Sequence, residues 1–254
     1  MLRSRIIPCL LISDGALVKT QNFDFPKYVG DPINAVKIFN EKGADELIVL
    51  DIDATKENRE PDYNMIKNLA AECRMPLCYG GGVKTTEQVK KIISLGVEKV
   101  AISKAVVDDP YIISRAAEIV GNQSIVVVID VKKRPFINKY QQFVQNGEIP
   151  VDNNVQEFVK RCEHLGAGEV VINSIDRDGT MQGYDLKLVE KIKKELSIPI
   201  SVLGGASSLE NISQLIKKYG LIGAAAGSLF VFKGKYRAVL INYPNSNEKE
   251  ILIK

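Results

Sequence analysis

Two glycine pairs are the first residues of this sequence whose spacing points to chemistry. Gly81 and Gly82 follow a short apolar run and precede a segment of helical periodicity. Gly204 and Gly205 stand in the same context later in the chain. Glycines in such turns let backbone N–H groups approach an anion, and the N-terminus of the following helix adds a favourable dipole. The pairs predict two phosphate sites, although a tight turn by itself would also use glycine.

Polar residues at the ends of two further apolar runs extend each predicted site. Ser103 and Lys104 end the run that follows the first glycine pair. Gly227 and Ser228 end the run that follows the second. They would add hydroxyl, ammonium and backbone donors to the same two anions. A ligand with a phosphate at each end is therefore the expected occupant.

Groups for proton transfer are scarce in this chain of 254 residues. It contains one histidine, His164, and no tryptophan, so histidine-based zinc sites and Ser-His-Asp triads have almost no raw material. Carboxylates or lysines are expected to carry any acid–base chemistry. No metal or cofactor is expected, and a net charge of +3 argues against nucleic-acid binding.

The cysteines and the amino terminus indicate the compartment. No two of the four cysteines form a C-x-x-C pair, so a disulfide framework is not expected. The first apolar run, Ile6–Ile12, contains Pro8 and is too short to span a membrane. Hydrophobic residues make up 45% of the chain and charged residues 26%, as in ordinary globular proteins. We expect a cytoplasmic protein with no membrane segment.

Short apolar runs alternate with longer segments of helical period, which is typical of parallel α/β folds. Eight strands are predicted: Arg5–Ile12, Glu46–Ile52, Leu77–Tyr79, Lys99–Ile102, Ser124–Val131, Glu169–Ile175, Ile200–Leu203 and Gly223–Ala226. Seven helices are predicted: Pro32–Lys42, Tyr63–Glu72, Thr85–Leu95, Pro110–Val120, Val155–Leu165, Asp185–Leu196 and Leu209–Lys218. Strands that are apolar throughout are covered on both faces, and eight in this order predict a closed (β/α)8 TIM barrel.

An internal repeat supports the barrel. The segment Gly43–Asp53 aligns with Gly166–Asp176, and the same offset of 123 residues relates the two glycine pairs. The alternative is that the shared glycines mark only a common turn geometry. The repeat predicts one domain over 1–254, with half-barrels at about 1–120 and 121–232 and a C-terminal extension over 233–254.

Two further segments carry β-prone patterns. In the extension, Lys235–Pro244 and Ile251–Ile253 flank a polar stretch and predict a hairpin-like end. Phe136–Val144 also has the pattern of a strand and follows three adjacent cations, Lys132–Arg134. Those cations either grip a polyanion such as a diphosphate or form a solvated loop.

Motifs spread over nearly the whole chain, from Arg5 to Phe232, carry a family resemblance. They are Arg5–Leu10, Asp14–Gly15, Val18–Lys19, Gly30–Pro32, Gly43–Leu47, Val126–Asp130, Leu165–Glu169 and Asp176–Asp185. In these motifs the chain resembles the cyclase subunit (HisF) of imidazole glycerol phosphate synthase. The resemblance implies a two-half barrel and a heterodimer with a glutaminase (HisH-type) subunit. It also implies a reaction of histidine biosynthesis, in which ammonia from that subunit passes through the barrel and attacks a bisphosphorylated ribulosyl intermediate.

The resemblance assigns acid–base work to two aspartates at strand ends, and this chain keeps one of them. Asp130 stands at the end of the fifth strand, whereas Leu11 occupies the first-strand position. Leucine cannot transfer a proton, so a loss of about 10²–10⁴-fold in rate is expected unless another group substitutes. Asp51 and Asp53, at the end of the second strand, are the candidates, and Lys19 completes the catalytic set. A loop-capping role is the alternative for Asp130.

The resemblance also enlarges the predicted phosphate sites. It brings Asp176, Gly179 and Thr180 of the longest motif into the set that binds the substrate phosphates. Ser103 and Lys104 depart from the family, which has an asparagine and a hydroxyl residue at these positions. An ammonium charge is therefore expected to hold the anion at this site.

Four charged residues match the family's ring at the amino end of the barrel, namely Arg5, Glu46, Lys99 and Glu169. Glu46 and Glu169 are mates in the repeat, and inward-pointing carboxylates need cation partners. The functional interpretation is an ammonia gate beneath a docked glutaminase. The alternative is a salt-bridge plug that would close the bottom of the barrel without any channel.

Three functions are weighed against these departures. The first is a cyclase-type lyase subunit, with Asp130 central and another group covering for Leu11. The second arises because, in Leu11 and in the unusual C-terminal end, the chain resembles a branch of HisF-like proteins found in surface-polysaccharide pathways. There the barrel would conduct ammonia and dock a sugar amidotransferase that makes acetamidino sugars. A third, an isomerase acting on the cyclase's precursor, would also need acid–base groups at both strand ends.

Overall fold

The computed structural model describes residues 3–134 and 139–253, in which strands and helices alternate as expected. The strands are β1 (Arg5–Ser13), β2 (Ala16–Gln21), β3 (Asp24–Gly30), β4 (Leu47–Asp51), β5 (Leu77–Gly80), β6 (Lys99–Ile102), β7 (Ile125–Lys133), β8 (Tyr140–Val144), β9 (Ile149–Pro150), β10 (Glu169–Ser174), β11 (Ile200–Leu203), β12 (Gly223–Ala226), β13 (Phe232–Lys233) and β14 (Ala238–Val239). The helices are α1 (Pro32–Glu41), α2 (Tyr63–Glu72), α3 (Thr86–Ser94), α4 (Lys104–Asp108), α5 (Ile112–Val120), α6 (Val155–His164), α7 (Leu186–Lys193), α8 (Leu209–Tyr219), α9 (Ser228–Val231) and α10 (Ser246–Ile253). All eight predicted strands and all seven predicted helices are confirmed, with small differences at their ends.

Eight of these strands close into a parallel barrel. Their order is β1, β4, β5, β6, β7, β10, β11 and β12, and each neighbouring pair is parallel. The last strand returns to the first, with Arg5 opposite Gly223 and Pro8 opposite Ala226. Closure leaves no free edge in the barrel sheet. The predicted (β/α)8 fold is therefore confirmed.

Antiparallel hairpins extend the chain beyond two of the barrel strands. β2 and β3 follow β1, and β8 and β9 follow β7. The predicted strand Phe136–Val144 is confirmed over Tyr140–Val144, whereas its residues 136–138 lie outside the described part of the chain. Of the preceding cations, Lys132 lies over the ring of Phe143, 5.6 Å from its centre. This cation therefore packs against its own hairpin.

Alternation along each strand determines which side chains enter the barrel. On β1, Ile7 and Cys9 belong to the inner cluster, whereas Leu10 packs in the outer core against the helices. Because a strand has a period of two residues, the same face carries Leu11 to the mouth of the barrel. At the opposite end this face begins with Arg5. The residues at the two ends of the barrel are thus selected by strand phase.

The C-terminal end differs from the predicted hairpin. A short hairpin is present, but it pairs Phe232 with Val239 inside the segment 232–239. Ile251 lies in α10 and not in a strand. The predicted pairing of Lys235–Pro244 with Ile251–Ile253 is therefore wrong.

A capping box in the polar stretch explains why a helix forms there. Asn245 Oδ1 accepts from the backbone N–H of Glu248 at 3.0 Å, and the Glu248 carboxylate accepts from the backbone N–H of Asn245 at 2.8 Å. Leu252 is buried while Ile251 is 70% exposed. The helix packs on α8, and Lys249 donates to the backbone O of Gly43 in the loop after α1. α10 thus occupies the place of the eighth outer helix, against α8 and beside the loop after α1.

Candidate functional site

A cavity opens at the carboxyl ends of the barrel strands. Asp130 enters it because Val126 and Val128, on the same face of β7, point into the barrel. Asn173 enters from β10, where it is the ladder partner of Asp130. The cavity also contains several other predicted site residues: Lys19, Asp51, Gly81, Gly82, Ser103, Lys104 and Gly227.

The carboxyl of Asp130 is suited to exchange protons near neutral pH. Asn173 donates from Nδ2 to Oδ1 of Asp130 at 2.9 Å. Burial raises the pKa of Asp130 to about 7, outweighing the lowering by the Asn173 bond, and the charge of Asp178 raises it further. A carboxyl with this pKa can act as an acid or as a base at neutral pH.

Lys19 is ion-paired with Asp178, a carboxylate that is not among the predicted site residues. Its Nζ lies 2.7 Å from Oδ1 of Asp178, and both side chains are buried. Thr20 Oγ1 donates to Oδ2 of Asp178 at 2.8 Å. Asp178 shares a motif with Asp176, and a 3₁₀ turn over Ile175–Arg177 buries Asp178 while leaving Asp176 exposed. The motif was the available signal, but spacing alone could not choose between its two carboxylates.

The first-strand side of the cavity is apolar. Leu11 lines the cavity and lies opposite Leu50 of β4 in the ladder. Cys9 lies two residues earlier on the same face of β1, and burial raises the pKa of its thiol to about 12. Neither side chain can serve as an acid or a base at neutral pH.

The two candidates to replace the missing acid are engaged in the loop after β4. Oδ1 of Asp51 accepts from the backbone N–H groups of Asp53 and Ala54, both at 3.0 Å. Its Oδ2 lies 3.5 Å from the guanidinium of Arg59. Asp53 accepts from the backbone N–H of Asp14 at 3.1 Å and does not line the cavity. The structure thus brings Asp51 to the cavity rim and leaves Asp53 outside.

The residues of the first predicted phosphate site lie together in the cavity wall. Gly81 has a φ of +126°, and a Cβ there would lie 2.5 Å from the backbone O of Asp51, so glycine is required. Ser103 contributes a buried hydroxyl with no hydrogen-bond partner in the described part of the chain. Nζ of Lys104 lies 2.5 Å from the carboxylate of Asp108. An anion here would satisfy Ser103, whereas the Lys104 ammonium already has a partner.

The residues of the second predicted phosphate site form a smaller cavity, which shares Lys19 and Gly227 with the first. Gly204 has a φ of +95°, and a Cβ there would lie 2.6 Å from the backbone O of Ser174, the repeat mate of Asp51. The repeat therefore extends to backbone contacts, which require these glycines with or without an anion. The predicted residues in this wall are Gly179, Gly204, Gly205, Gly227 and Ser228.

Two of the predicted phosphate ligands lie elsewhere. Asp176 is exposed and accepts from the backbone N–H of Lys133 at 2.7 Å. Thr180 Oγ1 donates to the backbone O of Arg177 at 2.9 Å. Neither residue lines either cavity. Their hydrogen bonds organise the loop after β10.

The four charges predicted at the amino end form a closed ring. Lys99 Nζ lies 2.7 Å from Glu46 and 2.8 Å from Glu169. Arg5 bridges the same two carboxylates, with Nη2 2.7 Å from Oε1 of Glu169. Burial acts to raise the pKa of Glu169, but the bonds and charges of Arg5 and Lys99 outweigh it and hold that pKa below its usual value. Each carboxylate is therefore matched by two cations.

Between the ring and the cavity, the barrel interior is apolar. A lining of this kind gives an ion no compensation for its lost hydration, whereas a small neutral molecule loses less. The inner side chains are Ile7, Cys9, Ile48, Cys78, Ala101, Val126, Val128, Val171, Leu203 and Ala225.

Within residues 3–134 and 139–253, no three His, Cys, Asp or Glu side chains are grouped as a metal site would require. In the same ranges, no helix combines the length and apolarity of a membrane span.

Comparisons with known proteins agree with the barrel and its motifs. A family model described as "Histidine biosynthesis protein" matches residues 5–237. A Vibrio vulnificus protein, provisionally named imidazole glycerol phosphate synthase subunit hisF3, is 58% identical over 250 residues, which cover 98% of this chain and 96% of the relative. A HisF subunit of Leptospira borgpetersenii, also provisionally named, is 53% identical over 252 residues and 99% of both chains.

A relative whose name is not provisional has a lower sequence identity to this chain. Imidazole glycerol phosphate synthase subunit HisF of Clostridium botulinum (strain Okra / Type B1) is 38% identical over 233 residues, 92% of each chain. The family model also ends at residue 237, before α10 begins. The match nevertheless covers the entire barrel sheet and both glycine pairs. The chain belongs to the HisF family of imidazole glycerol phosphate synthase subunits.

Proposed function

We propose that this protein is the ammonia-using subunit of a glutamine-dependent synthase and that it acts on a phosphorylated substrate at the mouth of the barrel. The proposal depends mainly on the position of Asp130 in the cavity, where its pKa of about 7 suits general acid–base catalysis at neutral pH. It shares one cavity with the residues of the first predicted phosphate site. The names of its relatives, subunits of imidazole glycerol phosphate synthase, support the same reaction class.

The route for ammonia follows from the two ends of the barrel. A HisH-type glutaminase would dock at the charge ring of Arg5, Glu46, Lys99 and Glu169 and release ammonia there. Neutral ammonia would cross the apolar interior, which disfavours ammonium. The ring would have to open for passage, since all four of its charges are paired. At the mouth, Asp130 would transfer protons while the phosphate sites hold the substrate.

A second candidate function rests on Leu11. The first-strand side of the cavity has a leucine where the family places an acid, and the neighbouring Cys9 thiol stays protonated. A barrel with half of its acid–base pair suits conduction better than cyclisation. In this alternative the protein passes ammonia from the glutaminase to a docked sugar amidotransferase, which makes acetamidino sugars.

Turnover of the bisphosphorylated ribulosyl intermediate with excess ammonium separates the two functions. If the protein is a cyclase, the wild type turns over and Asp130→Asn loses about 10²–10⁴-fold in rate, because a positioned acid–base group is removed. Asp152→Asn, an exposed carboxylate that lines neither cavity, serves as the matched control and should retain the wild-type rate. An active wild type unaffected by Asp130→Asn would contradict the role given to this residue.

The variant Leu11→Asp tests the alternative. An inert wild type that gains cyclase activity with Leu11→Asp supports conduction, since the scaffold would then lack only the missing acid. Sedimentation with a HisH-type glutaminase provides the second measurement. Failure of the wild type to bind any such subunit would contradict both functions.

A further inference from the structure

A cation outside the predicted phosphate sets contacts two residues of the second phosphate site from the C-terminal hairpin. Arg237 ends the turn between β13 and β14 and has a positive φ of 50°. Its Nη2 donates to the backbone O of Gly179 at 2.7 Å and lies 3.3 Å from Oγ of Ser228. Gly179 and Ser228 both line the small cavity of that site. The guanidinium therefore lies against the cavity wall.

Contacts from two sides hold Arg237 in this position. Its guanidinium carbon lies 5.1 Å from the ring centre of Phe232, and Nη1 lies 3.4 Å from Oε1 of Gln21. Lys27 of β3 donates to the backbone O of Arg237 at 3.1 Å. A left-handed conformation is uncommon for arginine and persists only where surrounding contacts stabilise it. The hairpin thus positions the side chain before any ligand arrives.

The charge of Arg237 is not neutralised by these contacts. Its side-chain partners are the neutral oxygens of Gly179, Ser228 and Gln21, and it forms no ion pair within the described residues. Its Nε is buried without a hydrogen-bond partner there. Lys19, a cation that lines the small cavity, is paired with Asp178 at 2.7 Å. Arg237 therefore brings a positive charge without an ion-pair partner, among the described residues, next to the wall of this site.

Backbone donors lie at the same site. The N–H groups of Gly205 and Ser228 donate to no acceptor in the described part of the chain. We propose that Arg237 is a phosphate ligand, whose guanidinium binds a phosphate monoester dianion together with these N–H groups. The C-terminal hairpin then forms part of the substrate site and selects for a phosphorylated end. This inference rests on the phosphorylated substrate of the proposed function and adds a ligand to it.

Binding of inorganic phosphate, followed by NMR, tests the inference. Amide signals of Gly205 and Ser228 report on the second site, and that of Gly82 reports on the first. Arg237→Gln should weaken binding at the second site by about tenfold to a hundredfold, because a charge-assisted hydrogen bond is lost, and leave binding at Gly82 unchanged. The affinity of Arg237→Lys for phosphate at the second site should lie between those of the wild type and Arg237→Gln. Lys235→Gln, an exposed cation of the same turn, is the matched control and should bind like the wild type.

Equal affinity of the wild type and Arg237→Gln at the second site would overturn the inference and leave the proposed function standing. Tighter binding in the variant would also overturn it, because Arg237 would then be a plug. A wild type that binds phosphate at neither site would contradict the phosphorylated substrate as well. Melting temperatures in phosphate-free buffer identify any variant that has lost its fold, in which case Arg237→Lys carries the comparison.

Discussion

At the scale of single residues, Asp130 has a predictable position and an unpredictable acidity. Four apolar residues, Val126–Ile129, indicate a strand covered on both faces, and a period of two places Asp130 in phase with the inward Val128. The raised pKa depends instead on burial at the mouth and on Asn173 and Asp178. Those two residues come from another strand and its loop.

This acidity predicts how stability changes with pH. A carboxyl whose pKa is higher in the folded protein stabilises it fully below the unfolded value near 4, and that contribution is lost as the pH rises through about 7. Asp130→Asn keeps an acceptor for Asn173 and removes the ionisation. The free energy of unfolding of the variant, relative to that of the wild type, should therefore rise by on the order of 1–2 kcal/mol from pH 5 to pH 8. Urea unfolding at the two pH values measures this difference.

The same measurement on Asp152→Asn supplies the control. This carboxylate is exposed, so its removal should shift the free energy of unfolding equally at both pH values. An Asp130→Asn variant whose gain is the same at pH 5 and pH 8 would mean that Asp130 ionises normally in the folded protein.

At the scale of elements, the C-terminal segment shows where local pattern and tertiary packing compete. Its apolar residues suit a strand, but the Asn245–Glu248 capping box starts a helix, which packs on α8 beside the loop after α1. Tyr243 anchors the segment to the barrel. Its hydroxyl donates to the backbone O of Ile6 at 2.8 Å and accepts from the backbone N–H of Asp45 at 3.1 Å.

Removal of that hydroxyl should weaken the docking of α10. Tyr243→Phe leaves a partly buried N–H and a buried carbonyl without their partner, which costs about 1–3 kcal/mol in the free energy of unfolding. Tyr236→Phe, on a side chain 89% exposed, should cost nothing measurable and serves as the control. Chemical denaturation of both variants gives the comparison, and equal stability would show that the Tyr243 hydroxyl does not anchor the segment.

At the scale of the whole molecule, the charge ring joins distant parts of the chain. Arg5 begins β1, Glu46 precedes β4, Lys99 begins β6 and Glu169 begins β10, yet their side chains meet at one point. The ring contains two cations and two carboxylates. Loss of one cation leaves two buried carboxylates sharing a single cation, and this excess negative charge is far more costly than loss of an exposed pair.

Arg5→Gln should therefore destabilise the protein by about 3 kcal/mol or more at neutral pH. The pKa of Glu169 is lowered in the ring, so its contribution is present at neutral pH and is lost as the pH falls below the usual glutamate value. The variant should accordingly unfold at a higher pH in an acid titration followed by circular dichroism. Arg3→Gln, whose side chain is 68% exposed beside Asp45, is the control and should leave the acid midpoint unchanged.

The sequence by itself determined the barrel, because strand period, helix period and the 123-residue repeat are local or regular patterns. It also determined the end of the barrel at which Asp130, both glycine pairs and the charge ring lie. Each is fixed by its place at the beginning or the end of a predicted strand. Only the tertiary structure decided that Asp178 and not Asp176 turns inward, that Asp53 stays outside the cavity, and that Arg237 bonds to Gly179 in the wall of the second site. Those outcomes depend on loop geometry, where no period constrains side-chain direction and the partners are distant in the chain.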